Sequence, residues 1–201
     1  MNIIHYKEPF YHTIIENCFD YTTLFKIKKE ILWLKNEIKE ETINNYNTNS
    51  EHNIKLYKNH SIKSDFLDII FLNKREKSII LNQNKKIYNV LYTPQNCTNN
   101  PYLNYIPITC ADTTQIQIYS ENTNYHKHHD AGILSFVYKF FIPNDGICYG
   151  DLIFEKENYT PKLNDNSCII FPSYELHYTS KASDNRISIL NILHNTHNFV
   201  Q

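Results

Sequence analysis

From about residue 112 onward the chain becomes a succession of short β-type segments, and no other feature constrains its fold as much. Gln115-Ile116-Gln117-Ile118-Tyr119 alternates polar and apolar residues, as a half-buried strand does. Residues 133–141 are a β-branched and aromatic run, suited to a strand covered on both faces. Residues 151–154, 167–171, 175–178 and 187–193 follow, each bounded by Asn, Asp, Pro or Gly. Short strands separated by turn chemistry predict a sandwich or jelly roll.

The preceding half reads differently. Leu24, Ile27, Ile31, Leu34 and Ile38 recur at three- and four-residue spacing. That spacing predicts an amphipathic helix of roughly 18 residues, with Asp20, Thr22 or Thr23 as its cap. An Asn-rich loop over 41–53 and a short strand over 54–57 come next. Helical spacing returns over 65–72 and 76–92 and ends before Pro94. Residues 93–107, with Pro94, Pro101, Pro107 and several Asn, read as a connection outside the core. The expected order is helices first and strands second, an α+β chain with no internal repeat. A single domain over 1–201 is expected, with helical support and loops over 1–111 and a jelly-roll core over 112–201.

Composition narrows the function classes. A formal net charge of -1 gives no global field for nucleic acid or an anionic membrane. Hydrophobic content of 41% and aromatic content of 14% belong to a chain with a packed core. Cys18, Cys97, Cys110, Cys148 and Cys168 are odd in number and lack C-x-x-C spacing, so they read as reduced, mostly buried thiols. The N-terminus has no signal pattern and no apolar run reaches membrane length, so a cytoplasmic location is expected. Heavy use of Asn, Ile, Lys and Tyr with only three Gly suggests an AT-rich genome, such as that of a virus, phage or parasite.

Chemistry concentrates in Tyr125-His126-Lys127-His128-His129-Asp130. On one strand end, residues i and i+2 point to the same side, so His128 and Asp130 can reach one ion while His129 points away. His177 lies far downstream on another predicted strand, and Arg186 comes nine residues after it. Two imidazoles and a carboxylate on one face of a ferrous ion leave three positions open. Arg186 is a fixed cation suited to a two-point carboxylate clamp. A lone His is more often structural, and H-x-D alone is common; the joint pattern is much rarer. His194-Asn195-Thr196-His197 has helical metal spacing but follows the last strand. His126 has no carboxylate in its register.

The runs "YHKHHDAGILSFVYKFF", "YGDLIFE", "CIIFPSYELHYTS" and "NRISILNIL" together resemble the prolyl 4-hydroxylase-like branch of the iron(II)/2-oxoglutarate dioxygenases, and small viral and phage members in particular. The motifs span residues 115–193. The resemblance implies a double-stranded β-helix (jelly roll, cupin-like) with N-terminal supporting helices. It implies His128, Asp130 and His177 as iron ligands and catalytic centre, with Arg186 pairing with the far carboxylate of 2-oxoglutarate. Ser188 would add a hydroxyl to that carboxylate, and Tyr119 would stand near the cosubstrate or be a core aromatic. Lys139 would reach the same pocket or, on the preferred reading, snorkel to the surface.

What the resemblance implies for activity is C–H hydroxylation with release of succinate and CO2, using Fe(II), 2-oxoglutarate and O2, with ascorbate a further candidate. A peptide or protein substrate, prolyl first, is the expected partner; nucleic acid is a weaker candidate and a membrane is not expected. If the chain is viral, the host cytoplasm is its expected location. Two positions depart from the family. Tyr149-Gly150-Asp151-Leu152 keeps only the second glycine of a Gly-Gly pair, and Ile192 stands where nucleobase-demethylating relatives carry a second Arg. The alternatives are the same chemistry on a nucleobase or small molecule, and a jelly-roll module that binds metal without turnover.

Overall fold

The computed structural model describes residues 1–37, 61–63, 75–109, 111–119, 122–141, 149–183 and 186–195. The expected loop 41–53, strand 54–57 and helix 65–72 lie outside these, as do Ile38, Cys110, Cys148 and His197.

Among the described residues, ten strands form two antiparallel sheets and three helices lie on one side. In chain order the strands are β1 (Asn2–Tyr6), β2 (His12–Glu16), β3 (Ser61–Lys63), β4 (Ala111–Ile118) and β5 (Thr123–His128). They continue as β6 (Leu134–Phe141), β7 (Leu152–Phe154), β8 (Ser167–Pro172), β9 (His177–Ala182) and β10 (Arg186–His194). The larger sheet runs β1-β2-β8-β6-β10-β4-β3, and the smaller runs β5-β9-β7. This is the expected jelly-roll α+β architecture.

Helix α1 (Tyr21–Glu37) opens as the caps predict: Asp20 Oδ1 accepts the Thr23 amide at 2.8 Å. Helix α2 (Ile79–Leu91) is capped by Ser78, whose Oγ accepts the Leu81 amide at 3.2 Å. Ile27 and Ile31 of α1 and Ile80, Leu81, Ile87 and Leu91 of α2 bury the helical stripe against the larger sheet. They meet Ile116, Phe136, Tyr138, Phe140, Ile170, Ile187 and Ile189. The opposite face of that sheet offers Ile14, Val137, Ile169, Phe171 and Leu190 to Leu152 and Phe154 of the smaller sheet. The long apolar run of β6 follows from this arrangement, since alternate residues enter two different cores. Each fully buried Phe or Ile contributes about 1.5–3 kcal/mol.

Two expectations need correction. The chain does not begin with helices: β1 and β2 pair as a hairpin and β2 joins the larger sheet against β8. In β2, His12 and Thr13 are buried through hydrogen bonds, so only Ile14 and Ile15 carried apolar signal. Residues 93–107 are also more than a connection. They hold helix α3 (Pro94–Asn99) and a 3-10 helix (Pro101–Ile108), which bury Cys97, Leu103 and Ile106. Thr93 and Asn100 cap these turns and a proline sits just inside each, so the prolines start helices here. Among the described residues, no helix is long and apolar enough to cross a membrane. Cys18, Cys97 and Cys168 are buried free thiols.

Candidate metal centre

Strand pairing brings the two histidines together. His177 begins β9, the central strand of the smaller sheet, and lies directly opposite His128 at the end of β5. Their ring centroids are 4.4 Å apart. Asp130 follows two residues after His128 on the turn toward β6, and its amide donates to the Ser173 carbonyl at 3.0 Å. His128 Nε2 is 3.5 Å from Asp130 Oδ1, and His177 Nε2 is 3.6 Å from Asp130 Oδ2. One ligand atom from each of the three residues lies within 4.8 Å of the others. An ion held at about 2.0–2.2 Å from its donors fits between atoms at the 3.5 and 3.6 Å separations.

The backbone sets the tautomers. His128 Nδ1 lies 2.6 Å from the His126 carbonyl and His177 Nδ1 lies 2.8 Å from the Glu175 carbonyl. A carbonyl only accepts, so both Nδ1 atoms carry hydrogen and Nε2 of each ring faces Asp130, where it is the nitrogen that would take an ion. Burial lowers the His177 pKa, more than the nearby Asp130 raises it, and so favours the neutral ring that a metal needs. Burial pushes the Asp130 pKa up, but the His128 hydrogen bond, the His177 ring and the Ser135 hydroxyl outweigh it, holding the carboxyl below its usual range. His129 turns away and donates from Nδ1 to the Tyr174 carbonyl at 2.6 Å, as alternation requires.

A narrow cavity extends from this centre between the two sheets. Gln117, Tyr119, Tyr125, Val137, Leu152, Thr179, Ser188 and Leu190 line it together with His128 and His177. Alternation along β10 sends Arg186, Ser188 and Leu190 to this side and Ile187 and Ile189 to the helices. Arg186 is only 1% exposed, and its Nε and Nη1 have no hydrogen-bond partner among the described residues. Ser188 Oγ is likewise buried without one. The Arg186 guanidinium stacks on the Tyr119 ring, 4.7 Å from its centroid. Burial pulls the Arg186 pKa down, against the raising influence of Tyr119 and Asp151, yet a guanidinium keeps its proton. A buried cation with two idle nitrogens and an idle hydroxyl two residues on has the donor chemistry that an anion would satisfy. Donors of this kind, a guanidinium and a metal-ligand cluster, are those a dicarboxylate would use at its two ends.

Tyr119 is 2% exposed, and its hydroxyl donates to Gln117 Oε1 at 2.8 Å, so it lines the cavity while it supports Arg186. Lys139 is buried on the Val137 face of β6, with Nζ 3.4 Å from Asp151 Oδ1, a carboxylate whose side chain is 58% exposed. Its side chain is covered, at 7% exposure, and its ammonium pairs with that more exposed carboxylate. Gly150 has φ +111°, and a Cβ there would come within 2.7 Å of the Ala182 Cβ and 3.1 Å of the Arg186 Cδ. The retained glycine therefore makes room for Arg186. His194 is not part of the cluster; its Nε2 lies 2.8 Å from Thr113 Oγ1.

Ser135 and Ser173 were not anticipated. Ser135 Oγ donates to Asp130 Oδ2 at 2.6 Å and lies 2.8 Å from Ser173 Oγ. A serine on an apolar strand has no spacing signature; only its polarity inside 133–141 could have marked it.

No family model matches the sequence, and no curated protein does. Among solved structures, the chain is similar to a prolyl-4-hydroxylase from Pseudomonas putida, with TM-score 0.51 and 9% identity over 92% of each chain. It is also similar to a prolyl hydroxylase in complex with a hypoxia inducible factor oxygen degradation domain peptide fragment, from Trichoplax adhaerens. There the TM-score is 0.52 at 15% identity, over 92% of this chain and 83% of that one. A 2OG-Fe(II) oxygenase family oxidoreductase from Burkholderia pseudomallei matches over 57% of this chain and 59% of its own, at 14% identity and TM-score 0.38, too distant to compare in detail. At these identities the first two likenesses establish the jelly-roll fold and nothing finer.

Proposed function

We propose that this chain is an Fe(II)- and 2-oxoglutarate-dependent dioxygenase of the prolyl 4-hydroxylase-like kind, hydroxylating a C–H bond in a peptide or protein, with a prolyl residue the first choice. One observation carries the reading: His128 and His177 of the metal-ligand cluster line one cavity with Ser188 and with Tyr119, on whose ring the buried Arg186 with its unsatisfied donors is stacked. Either alone is ambiguous, because a metal cluster can be structural and a buried arginine can be a packing element. Together they match a cosubstrate that chelates metal at one end and carries a carboxylate at the other.

Bound Fe(II), 2-oxoglutarate and O2 would supply oxidative decarboxylation coupled to C–H hydroxylation, with succinate and CO2 as products. The chain's part is positional. Nε2 of His128 and of His177 and one oxygen of Asp130 would hold the ion, with imidazole orientation fixed by the His126 and Glu175 carbonyls. Arg186 and the Ser188 hydroxyl would bind the distal carboxylate, and Tyr119 would keep the guanidinium aimed along β10. Val137, Leu152 and Leu190 make the walls apolar and exclude bulk water. Peptide substrates are favoured by the near-neutral net charge of -1, since phosphate backbones call for a basic face.

The first test is anaerobic addition of Fe(II) and 2-oxoglutarate, expected to give a weak visible charge-transfer band that His177→Ala abolishes. A wild-type protein with no band would overturn the enzyme reading. The second test measures succinate release with a proline-containing peptide library and with methylated oligonucleotides. Stimulation by the oligonucleotides alone would overturn the peptide assignment and leave the reaction class intact.

A further inference from the structure

We propose that Ser135 and Ser173 are positioning residues that hold Asp130 as a one-oxygen metal ligand; this rests on the function proposed above. Ser135 Oγ donates to Asp130 Oδ2 at 2.6 Å. Each hydroxyl has one hydrogen, so with that of Ser135 given to the carboxylate, the 2.8 Å contact between the two serines is a donation from Ser173 to Ser135. The direction of the relay is thereby fixed for an ionised Asp130. Both serines are fully buried, so no water competes for these bonds. A short charge-assisted bond takes one lone pair of Oδ2, which lies 3.6 Å from His177 Nε2, and leaves Oδ1, 3.5 Å from His128 Nε2, as the oxygen without a serine partner.

The relay also joins the segments that carry two of the ligands. Ser135 belongs to β6, five residues after Asp130. Ser173 opens the turn that delivers His177, and its backbone is tied to the Asp130 loop twice. Its carbonyl accepts the Asp130 amide at 3.0 Å, and its amide donates to the Ile133 carbonyl at 3.0 Å. The hydroxyl pair therefore sets the torsion of Asp130 relative to His177, beyond what the backbone contacts fix. A carboxylate freed from Ser135 could turn both oxygens to the ion and take one of the positions that a chelating cosubstrate needs. Partners of ligating carboxylates typically change metal affinity 10–100-fold when removed, and about that factor is expected here.

The experiment compares wild type, Ser135→Ala, Ser135→Thr and Ser173→Ala as full chains. Mn(II) affinity is measured by titration, and the band of the anaerobic Fe(II)–2-oxoglutarate complex is recorded for each. Ser135→Ala should bind Mn(II) about 10–100-fold more weakly and shift the band, while Ser135→Thr, which keeps the hydroxyl, restores both. Ser173→Ala should fall between wild type and Ser135→Ala, and it decides the matter if Ser135→Ala does not fold. Wild-type affinity and an unshifted band in a folded Ser135→Ala, or in Ser173→Ala when that variant decides, would overturn the positioning role. A wild-type protein that binds neither Mn(II) nor Fe(II) would overturn the parent reading instead, so the two failures are distinguishable.

Discussion

Arg186→Met separates function from stability at the most tightly enclosed charge among the described residues. The wild-type guanidinium is 1% exposed and leaves two nitrogens without partners among the described residues. Each charge-assisted bond to a carboxylate contributes about 1.5–3 kcal/mol, so losing two of them removes about 3–6 kcal/mol of cosubstrate binding. At about 1.4 kcal/mol per decade, that is two to four orders of magnitude in Kd for 2-oxoglutarate. The cosubstrate-free protein should respond in the opposite sense. Two unsatisfied buried nitrogens cost about 2–6 kcal/mol, while losing the stack on Tyr119 returns only about 0.5–2 kcal/mol. Methionine keeps most of the stem volume and no idle donor. The variant should therefore melt no lower than wild type, and for a chain this long each 1 kcal/mol gained adds about 2–4 °C. Calorimetric titration of 2-oxoglutarate with Mn(II) present gives the first quantity, and thermal denaturation without ligand gives the second. An unchanged Kd would refute the anion assignment. A clearly lower melting temperature would refute the argument that the guanidinium is held at an energetic cost until ligand arrives.

Stability should also fall in mild acid. Burial lowers the His12 pKa in the fold, so the native state resists a proton that the unfolded chain accepts near its ordinary value of 6.5; the contribution is complete above that pH and is lost as pH falls toward the lowered value. His177 acts in the same direction. The urea midpoint should drop between pH 7.5 and 5.5, and His12→Gln should reduce the drop; an identical drop would remove His12 from the account. Glu30 accepts from Ser78 Oγ at 2.7 Å and from the amides of Ile79 and Ile80 at 2.8 and 3.2 Å, so Glu30→Ala strands the start of α2 and should cost about 2–4 kcal/mol by urea denaturation. A loss under about 0.5 kcal/mol, the ordinary range for surface changes, would mean the carboxylate does not organise that helix start. Gly150→Ala meets both a positive φ and the Arg186 stem, and it should lower 2-oxoglutarate affinity as well as the melting temperature. A melting loss with unchanged affinity would separate the turn from the anion receptor.

The strands of the larger core were legible because burial on one or both faces leaves a period in the sequence. Residues 133–141 and 187–193 are both apolar enough to identify β6 and β10. The hairpin of β1 and β2 was not, since His12 and Thr13 reach their buried state through polar partners and mask the pattern. The 3-10 segment after Asn100 was missed for a related reason. Prolines at the first turn of a helix look like prolines in a loop unless the capping residue before them is read as well. At the centre, His128, Asp130, His177 and Arg186 were legible as a joint pattern and through the resemblance that pattern carries, and the fold brings ligand atoms of the first three within 4.8 Å of one another. Ser135 and Ser173 act through a geometry assembled from residues 38 apart, which no local pattern encodes.

The two histidines of the centre are anchored very differently. His177 lies on the middle strand of the smaller sheet, laddered on both sides, whereas His128 ends an outer strand whose pairing with β9 breaks register twice. Free energies of local opening follow the number of bonds and apolar contacts that must be released, so β5, an edge strand with broken register, is expected to open at lower free energy than the β8-β6-β10 ladder. The cage therefore has one stiff wall and one compliant wall. Of the residues that would hold an ion, His128 is the one carried by the compliant wall and His177 the one carried by the stiff wall.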